Sequence, residues 1–589
     1  MTVDAALPII TLMNDSSISD PRWDTLTTDD AAVKDLIAAL NRTYSLSISQ
    51  ITASLLVHRG FTDPVDVYQF LFPDLSQMPD PFLMSDMDRA VSTILDAVSS
   101  GKRIWVYGDY DVDGITSVSI IVLFFRSLGV DISYYIPDRV SEGYGLNEDA
   151  VKSIADRGAD LIITVDCGIS NHREIELAKD LGISVVVTDH HEVPDTLPDA
   201  AAVLDPKRPD CRFPHDNLAG VGIAYNLLVG VRARMRDEGM FDELPNLKRY
   251  LDLVALGTVA DIVPLVGENR LFVKYGLVEL NESDRPGITA LKEVCGIRDV
   301  GTSEISFRLA PRINASGRVG SANQSVKLLT TDDYAEALSI ARDLDQDNRT
   351  RQEMEEGVLR QALEAIDQER LDEHCSIVLA SEEWHPGVVG IVASRLVDRF
   401  YRPIILMSLS DGIAKGSARS IRGFHIYQGL TKLEEFLIGF GGHQYAAGLS
   451  MEKGNISEFR DRFDEVVREM TCEEDFIPTV QIDAEIALSD IHKRNLLHEI
   501  KLMMPFGAGN PEPQFLTRCM MVKEARIVGR NHLRMVFKDD KMNWDAIAFG
   551  FGRLLNNPID TVDAVFAIRE NRWHRGGSCE LHIKNIKVE

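Results

Sequence analysis

Asp109, Asp111 and Asp113 stand at alternate positions directly behind the apolar run Trp105-Val-Tyr-Gly108. Three carboxylates this close repel one another unless a cation sits among them, and hard divalent cations take oxygen ligands of this kind. Two more apolar runs end in similar chemistry: Leu161 to Val165 is followed by Asp166-Cys-Gly168, and Ser184 to Thr188 by Asp189-His-His-Glu192. Asp261 sits among Val259, Ala260, Ile262 and Val263, and a buried Asp is rare unless it is paired or bound to metal. Asp109, Asp111, Asp113, Asp166 and Asp261 with His190 and His191 supply five carboxylates and two imidazoles, donors enough for two metal ions. A thiolate-free set fits Mn²⁺ or Mg²⁺ better than a soft metal and leaves Zn²⁺ or Fe²⁺ open. Two such ions about 3.5 to 4 Å apart activate water and stabilise the leaving oxygen in phosphoryl transfer. The bland alternatives are a solvated acidic turn and a histidine pair capping a loop. Three acidic strand ends in one stretch of chain weigh against both.

The elements that must bring these residues together can be read from the pattern. Strand-like runs at 103–107, 132–136, 161–165, 184–188 and 202–204 alternate with helical segments, which predicts a doubly wound parallel sheet with ligands at the carboxyl ends of its strands. The first run turns between Gly108 and Gly114 into a helix from Ile115 to Leu128. An apolar helix is read over Leu251 to Val266, interrupted by Asp261. Thr28 to Leu40 and Ser47 to Arg59 read as helices of an N-terminal cap covering residues 1–75. The catalytic α/β domain is expected over 76–330, a connector of one or two long charged helices over 331–370, a second, smaller α/β domain over 371–475, and a small β-barrel over 476–589.

The chain has 589 residues, 45% of them apolar, which suits several buried cores. Its seven cysteines are odd in number and show no CxxC pair, against both a disulfide framework and a cysteine zinc site. No apolar run approaches the roughly 18 residues of a membrane span, and Met1 to Met13 has no basic region before its short apolar stretch, so a cytoplasmic protein without membrane contact is expected. A formal charge of −29 argues globally against a polyanion partner, but Phe515 to Glu589 holds 13 Lys and Arg against 9 Asp and Glu, which permits a polyanion-binding module there.

Four motifs in order, Tyr107-Gly-Asp-Tyr-Asp-Val-Asp-Gly114, Val165-Asp-Cys-Gly-Ile-Ser170, Thr188-Asp-His-His-Glu192 and Val259-Ala-Asp-Ile-Val-Pro264, resemble the DHH family of phosphoesterases, and within it the bacterial single-strand-specific exonucleases. Where small pyrophosphatases of the superfamily have a histidine this chain has Tyr107, and the resemblance implies that Asp109 takes over that metal-side role. His385-Pro-Gly387, Lys415-Gly-Ser-Ala-Arg-Ser420 and Gly441-Gly-His-Gln-Tyr-Ala-Ala-Gly448 resemble the associated DHHA1 domain, and Pro505-Phe-Gly-Ala-Gly-Asn-Pro-Glu-Pro513 resembles the segment before an OB-fold.

The resemblance implies Arg312, with Asn314 and Arg318 nearby, as a phosphate contact; Ser417 and Arg419, with Arg139, as holders of a 5′-terminal phosphate; and His443, beside Gly441 and Gly442, near the scissile bond. Catalytic roles are expected for Asp111, Asp113, His191, Arg312 and His443. It further implies two Mn²⁺ or Mg²⁺ ions, a single-stranded DNA substrate with a 5′ end degraded 5′ to 3′ to mononucleotides in DNA repair and recombination, a monomer, and a helicase and a single-strand-binding protein as partners. Trp544, Phe549, Trp573 and Arg572 are candidates to stack on or grip bases, with core packing the better reading for most aromatics. Ala219-Gly-Val-Gly-Ile-Ala224 is only weakly like a dinucleotide loop. A phosphodiesterase for small oligonucleotides or cyclic dinucleotides and a non-catalytic replication scaffold are the alternatives; the intact acidic set discriminates against the scaffold.

Overall fold

A computed structural model describes residues 20–139, 142–493, 495–539, 542–556, 558–571 and 579–588. The chain forms two compact units. The first takes in residues 72–351 together with the short segment 504–511; the second takes in residues 20–71, 352–503 and the described residues from 512 onward.

At the centre of the first unit is a five-stranded sheet in the order Ile132–Tyr135, Ile104–Gly108, Leu161–Val165, Ser184–Thr188, Ala202–Leu204, every pair parallel. Its strands are apolar on both faces because both are covered, as alternation along a strand requires. Ile104, Val106, Ile163, Val165 and Val186 face one core with the helices Met87–Ser99, Val112–Ser127, Gly220–Glu238 and Leu251–Ala260. Trp105, Tyr107, Ile162, Val185 and Val187 face the other, under Glu148–Asp156 and His172–Asp180. The chain reverses direction across the sheet between strands 104–108 and 161–165. That crevice is where an open α/β sheet binds its ligand. Asp109 and Asp166 follow those two strands.

Two helix boundaries differ from the sequence reading. The helix after the first strand begins at Val112 rather than Ile115, because the Asp111 carboxylate caps it by accepting from the Asp113 and Gly114 amides. Such a cap contributes roughly 1 kcal/mol. Asp113 thus lies in the first helical turn. The apolar helix from Leu251 stops at Ala260 instead of running through Asp261 to Val266. Ile262 has φ +61°, a left-handed conformation rare for a β-branched residue, and Pro264 follows two residues later.

Close by, Glu268 is 2% exposed and accepts from Asn226 Nδ2 at 3.2 Å, and burial pushes its carboxyl up to about 8. The folded chain therefore keeps a proton that the unfolded chain releases near pH 4.3. That contribution is full below the unfolded value and lost as the pH rises toward 8. Glu268→Gln is expected to flatten the fall in stability between pH 5 and 8, measured by urea unfolding; an unchanged pH slope would refute it.

The second unit contains a mixed five-stranded sheet in the order Leu437–Gly442, Ala446–Glu452, Ile413–Arg419, Ile404–Ser410, Ile377–Ser381, packed with the helices Pro386–Phe400 and Ile456–Met470. One helix, Tyr334–Glu369, fills the expected connector. Toward the C-terminus, Phe515–Val528, His532–Asp539, Met542–Ala548, Thr561–Glu570 and Cys579–Val588 close into a five-stranded, OB-like barrel, since Phe515–Val528 also pairs with Thr561–Glu570. The strand Thr561–Glu570 was not picked out from the sequence. Arg22–Thr25 adds a parallel pairing to Thr479–Ile482. Trp544 is 2% exposed and belongs to the interior, stacked on the His492 ring at 4.9 Å, so it does not stack on bases. Phe549 is 43% exposed; Arg572 and Trp573 lie outside the described residues.

Candidate metal centre and active site

Each acidic group reaches the crevice by a local device that its own sequence supplies. Asp109 follows its strand directly and is 4% exposed. Asp111 is held by its cap. Asp113 is gripped from outside its own segment: Gly220 N–H and Val221 N–H, the first amides of the helix Gly220–Glu238, donate to its two oxygens at 2.6 and 2.8 Å. Gly220 has to be glycine here, because a Cβ would stand 2.9 Å from Asp166 Oδ1 and 3.0 Å from Asp113 Oδ2. The Gly-Val-Gly stretch therefore serves a carboxylate of the site, through a helix N-terminus that favours negative charge. Asp166 takes φ +59° just after its strand, with its amide donating to Thr188 O at 3.0 Å.

His190 Nε2 lies 3.1 Å from Asp166 Oδ1, 3.7 Å from Asp261 Oδ2 and 3.9 Å from Asp113 Oδ2. Burial and the neighbouring His191 hold its ring neutral, pushed down to about 3, with the Leu218 main chain on its other side. A neutral imidazole fixed by a main-chain hydrogen bond is the form that ligates a cation. Asp189, 1% exposed, is the support of the histidine pair. It accepts from His190 N–H at 2.8 Å, His191 N–H at 3.2 Å and Ile169 N–H at 2.9 Å, and lies 2.7 Å from His191 Nδ1. Although burial opposes a charge on either group, that contact holds the carboxyl of Asp189 down and the imidazole of His191 up.

The remaining carboxyls show the strain of buried like charges. Burial and Asp111 push Asp109 up to about 8; the same two causes push Asp113 up to about 7 against the two helix amides. Burial, then Asp113 and Asp111, raise Asp166 and Asp261 as well. Asp109 Oδ1 and Asp261 Oδ2 are buried without a hydrogen-bond partner. Donor atoms from Asp109, Asp111 and Asp166 lie within 4.8 Å of one another, as do those from Asp166, His190 and His191 and from Asp113, His190 and Asp261. Partnerless buried oxygens in overlapping oxygen and imidazole sets fit divalent cations: seven residues, seven positions of the sequence reading, brought to one edge.

Other expected residues have different settings. Asn314 Oδ1 accepts from Val112 N–H at 3.1 Å, so this side chain braces the acidic turn. The guanidinium of Arg312 is engaged by Asp345, through Nε at 2.9 Å and Nη2 at 2.8 Å, and by Arg308 O at 2.6 Å through Nη1. Arg139 lies over the Tyr110 ring at 5.0 Å. Tyr107, fully buried, donates its hydroxyl to Gly145 O at 2.9 Å.

In the second unit, Gly441 pairs with Gly448 and Gly448 with Ser417, a row across three strands. Arg419, two residues along the same strand, contacts Ser394 Oγ at 3.2 Å, and Gly390 approaches both it and Ser417. Gly442 takes φ +151°, and His443 is exposed in the hairpin turn, its amide donating to Ala446 O at 2.8 Å.

Two residues of the site carried no role in the sequence reading. Asp189 was quoted inside its motif, and its place beside two histidines was the available signal. Tyr144 is the other: its hydroxyl lies 3.0 Å from His191 Nδ1 and 3.2 Å from Asp166 O, and the residue is 50% exposed. No spacing in the sequence pointed to it.

Sequence models of the DHH family, N-terminal domain, the DHHA1 domain and the RecJ OB domain match residues 103–258, 374–469 and 482–585. The single-stranded-DNA-specific exonuclease RecJ of Bacillus subtilis is 39% identical over 97% of this chain and 71% of its own length. The crystal structure of RecJ in complex with Mn²⁺ from Thermus thermophilus superposes with a TM-score of 0.81 at 32% identity, over 96% of this chain and 80% of that one. The Mg²⁺ complex from the same organism gives 0.75 at 31% identity, over 96% and 78%.

Proposed function

The chain belongs to the RecJ family of single-stranded-DNA-specific exonucleases, and from that premise we propose that its acidic crevice hydrolyses the phosphodiester bonds of single-stranded DNA from the 5′ end with two divalent cations, Mn²⁺ or Mg²⁺. The observation that carries this reading is the pair of buried, partnerless carboxylate oxygens on Asp109 and Asp261, gathered with His190 at the point where the strand order reverses. Asp109, Asp111, Asp113, Asp166, His190, His191 and Asp261 would hold the cations. When bound, such ions polarise the phosphoryl group, activate the attacking water and stabilise the leaving oxygen.

The chain's own residues set the geometry. The amides of Gly220 and Val221 aim Asp113, Asp189 fixes both histidine rings, and Asn314 braces the turn between Asp111 and Asp113. Ser417, Arg419 and the glycine pair at 441–442, with Arg139, would hold the terminal phosphate, since glycine-rich backbone and a guanidinium fork suit a phosphate dianion. Arg312 and His443 would face the phosphate being cleaved, Arg312 in exchange for part of its bond to Asp345. The OB-like barrel supports a strand of DNA over a dinucleotide as substrate. By the same reading we place the chain in the cytoplasm as a monomer, with a helicase and a single-strand-binding protein as its partners.

The test is degradation of a 5′-phosphorylated single strand in Mn²⁺, compared with duplex and with the Asp111→Ala and His190→Ala proteins. Both substitutions are expected to cut kcat at least about a hundredfold, because metal stabilisation is worth several kcal/mol and each 1.36 kcal/mol is tenfold. Full activity in either variant would sink the metal mechanism, and equal digestion of duplex the specificity. Tyr144→Phe keeps the ring and removes the hydroxyl that steadies His191. Its kcat is expected to fall about tenfold, the lower range for losing an outer partner of a ligand, with KM for DNA unchanged; steady-state kinetics showing a KM effect alone would assign Tyr144 to DNA binding instead.

A further inference from the structure

Asp261 is reached by an unusual route: the helix before it has ended, its amide still donates to Gly257 O at 2.9 Å, and the next residue, Ile262, is left-handed and 63% exposed. A β-branched residue stays in that conformation only where its surroundings over-determine it. Two and three residues on, Pro264 and Leu265 are met by a strap from more than two hundred residues downstream.

Residues 504–511 belong by their contacts to the first unit, while the chain on both sides of them belongs to the second. Leu265 N–H donates to Ala508 O at 2.7 Å. Gly507 and Gly509 lie so close that Cβ atoms there would stand 2.7 Å from Leu265 Cδ1 and 2.8 Å from Pro264 Cβ. The strap is closed on itself by paired main-chain bonds between Gly507 and Asn510 and by Asn510 Nδ2 on Pro505 O at 2.8 Å. It is pinned to the unit by Thr302 Oγ1 on Phe506 O at 2.9 Å and by Arg270, 2% exposed, whose Nη2 donates to Met504 O at 2.9 Å and Nη1 to Pro505 O at 3.3 Å. Next to Arg270, the fully buried Asn269 donates through Nδ2 to Pro264 O at 3.1 Å and to Asn217 O at 2.6 Å. The first carbonyl lies three residues beyond Asp261 and the second three residues before Gly220, whose amide holds Asp113. One side-chain amide thus ties the turn that carries Asp261 to the helix start whose amides hold Asp113.

We propose that residues 505–510 are a positioning strap that holds the Asp261 turn in its metal-binding conformation, with Arg270 and Asn269 as the positioning residues that anchor it. The proposal rests on the metal-dependent reading above. Gly509→Val drives a side chain into Pro264 and displaces the turn; Thr302→Val removes only the bond at Phe506 O. The Mn²⁺ affinity of each full-length protein, titrated by electron paramagnetic resonance in the absence of DNA, is expected to fall about 10- to 100-fold for Gly509→Val, as for other outer supports of metal ligands, and several-fold for Thr302→Val. Activity at limiting Mn²⁺ is expected to fall in parallel and to return in excess Mn²⁺, with KM for DNA unchanged.

Should Gly509→Val not fold, Thr302→Val carries the same readouts. A folded strap variant with wild-type Mn²⁺ affinity and metal dependence overturns the strap. If Asp261→Asn also leaves Mn²⁺ binding at the wild-type value, the metal reading fails and the strap falls with it; if Asp261→Asn weakens binding and the strap variants do not, the strap alone fails.

Discussion

The Asp261→Asn protein is expected to melt higher than wild type in EDTA, to melt lower than wild type in Mn²⁺, and to lose at least about a hundredfold in hydrolysis of single-stranded DNA. Without a cation, burial and then Asp113 and Asp111 act against ionised Asp261, and one of its oxygens has no hydrogen-bond partner. Asparagine has the same shape and no charge, so it removes one member of a repelling set. Each kcal/mol released appears as roughly 2–4 °C in a domain of this size. With Mn²⁺ the order reverses, because an ion that binds only the folded state stabilises it by about 2.7 kcal/mol at a hundred times its Kd, and the variant has lost a ligand. Differential scanning fluorimetry in the two buffers reads both effects. The same melting order in both buffers would show that Asp261 is an ordinary buried acid.

Gly220→Ala is expected to be nearly as damaging without changing any charge. The added methyl would stand 2.9 Å from both Cβ and Oδ1 of Asp166 and 3.0 Å from Asp113 Oδ2. Either the carboxylates separate or the helix N-terminus retreats, and retreat loses the amides that hold Asp113. A misplacement near 1 Å costs about a hundredfold in rate, so kcat should drop on that order while far-UV circular dichroism and the apo melting temperature stay close to wild type. A Gly220→Ala protein with normal kcat would mean that the close approach is incidental. Gly222, two residues on, meets only Phe272 and Leu218 side chains at 3.4 Å or more, so Gly222→Ala serves as the mild control.

The acidic strand ends were legible in the sequence for a physical reason. An apolar run that stops abruptly in carboxylates has few stable settings, and a parallel sheet puts all such ends on one edge. Asp109, Asp111, Asp113, Asp166, His190, His191 and Asp261 could therefore be named from local pattern alone. Boundaries were less legible. The helix begins at Val112 because Asp111 caps it, and the helix from Leu251 ends at Ala260, where Ile262 turns left-handed and Pro264 follows. Glycines 220 and 222 read as a weak nucleotide loop because a glycine-rich helix start looks the same whether it receives a phosphate or a carboxylate from its own protein. Asn314 was read as a neighbour of the phosphate contact Arg312. Only the fold shows the first on Val112 and the second on Asp345.

By itself, then, the sequence determined the chemistry available to this protein: which strands end in acid, that the donors are oxygen and imidazole, and that the chain follows the order of motifs of one family. Those properties are set by residue type and short-range periodicity, which every segment carries with it. Tertiary structure alone decided which amides hold Asp113 and which distant segment meets the turn after Asp261. Each of those answers depends on a partner outside the segment itself, more than a hundred residues away at Gly220 and more than two hundred at Ala508. For the distant partners, the pairing exists only once packing has brought the segments together.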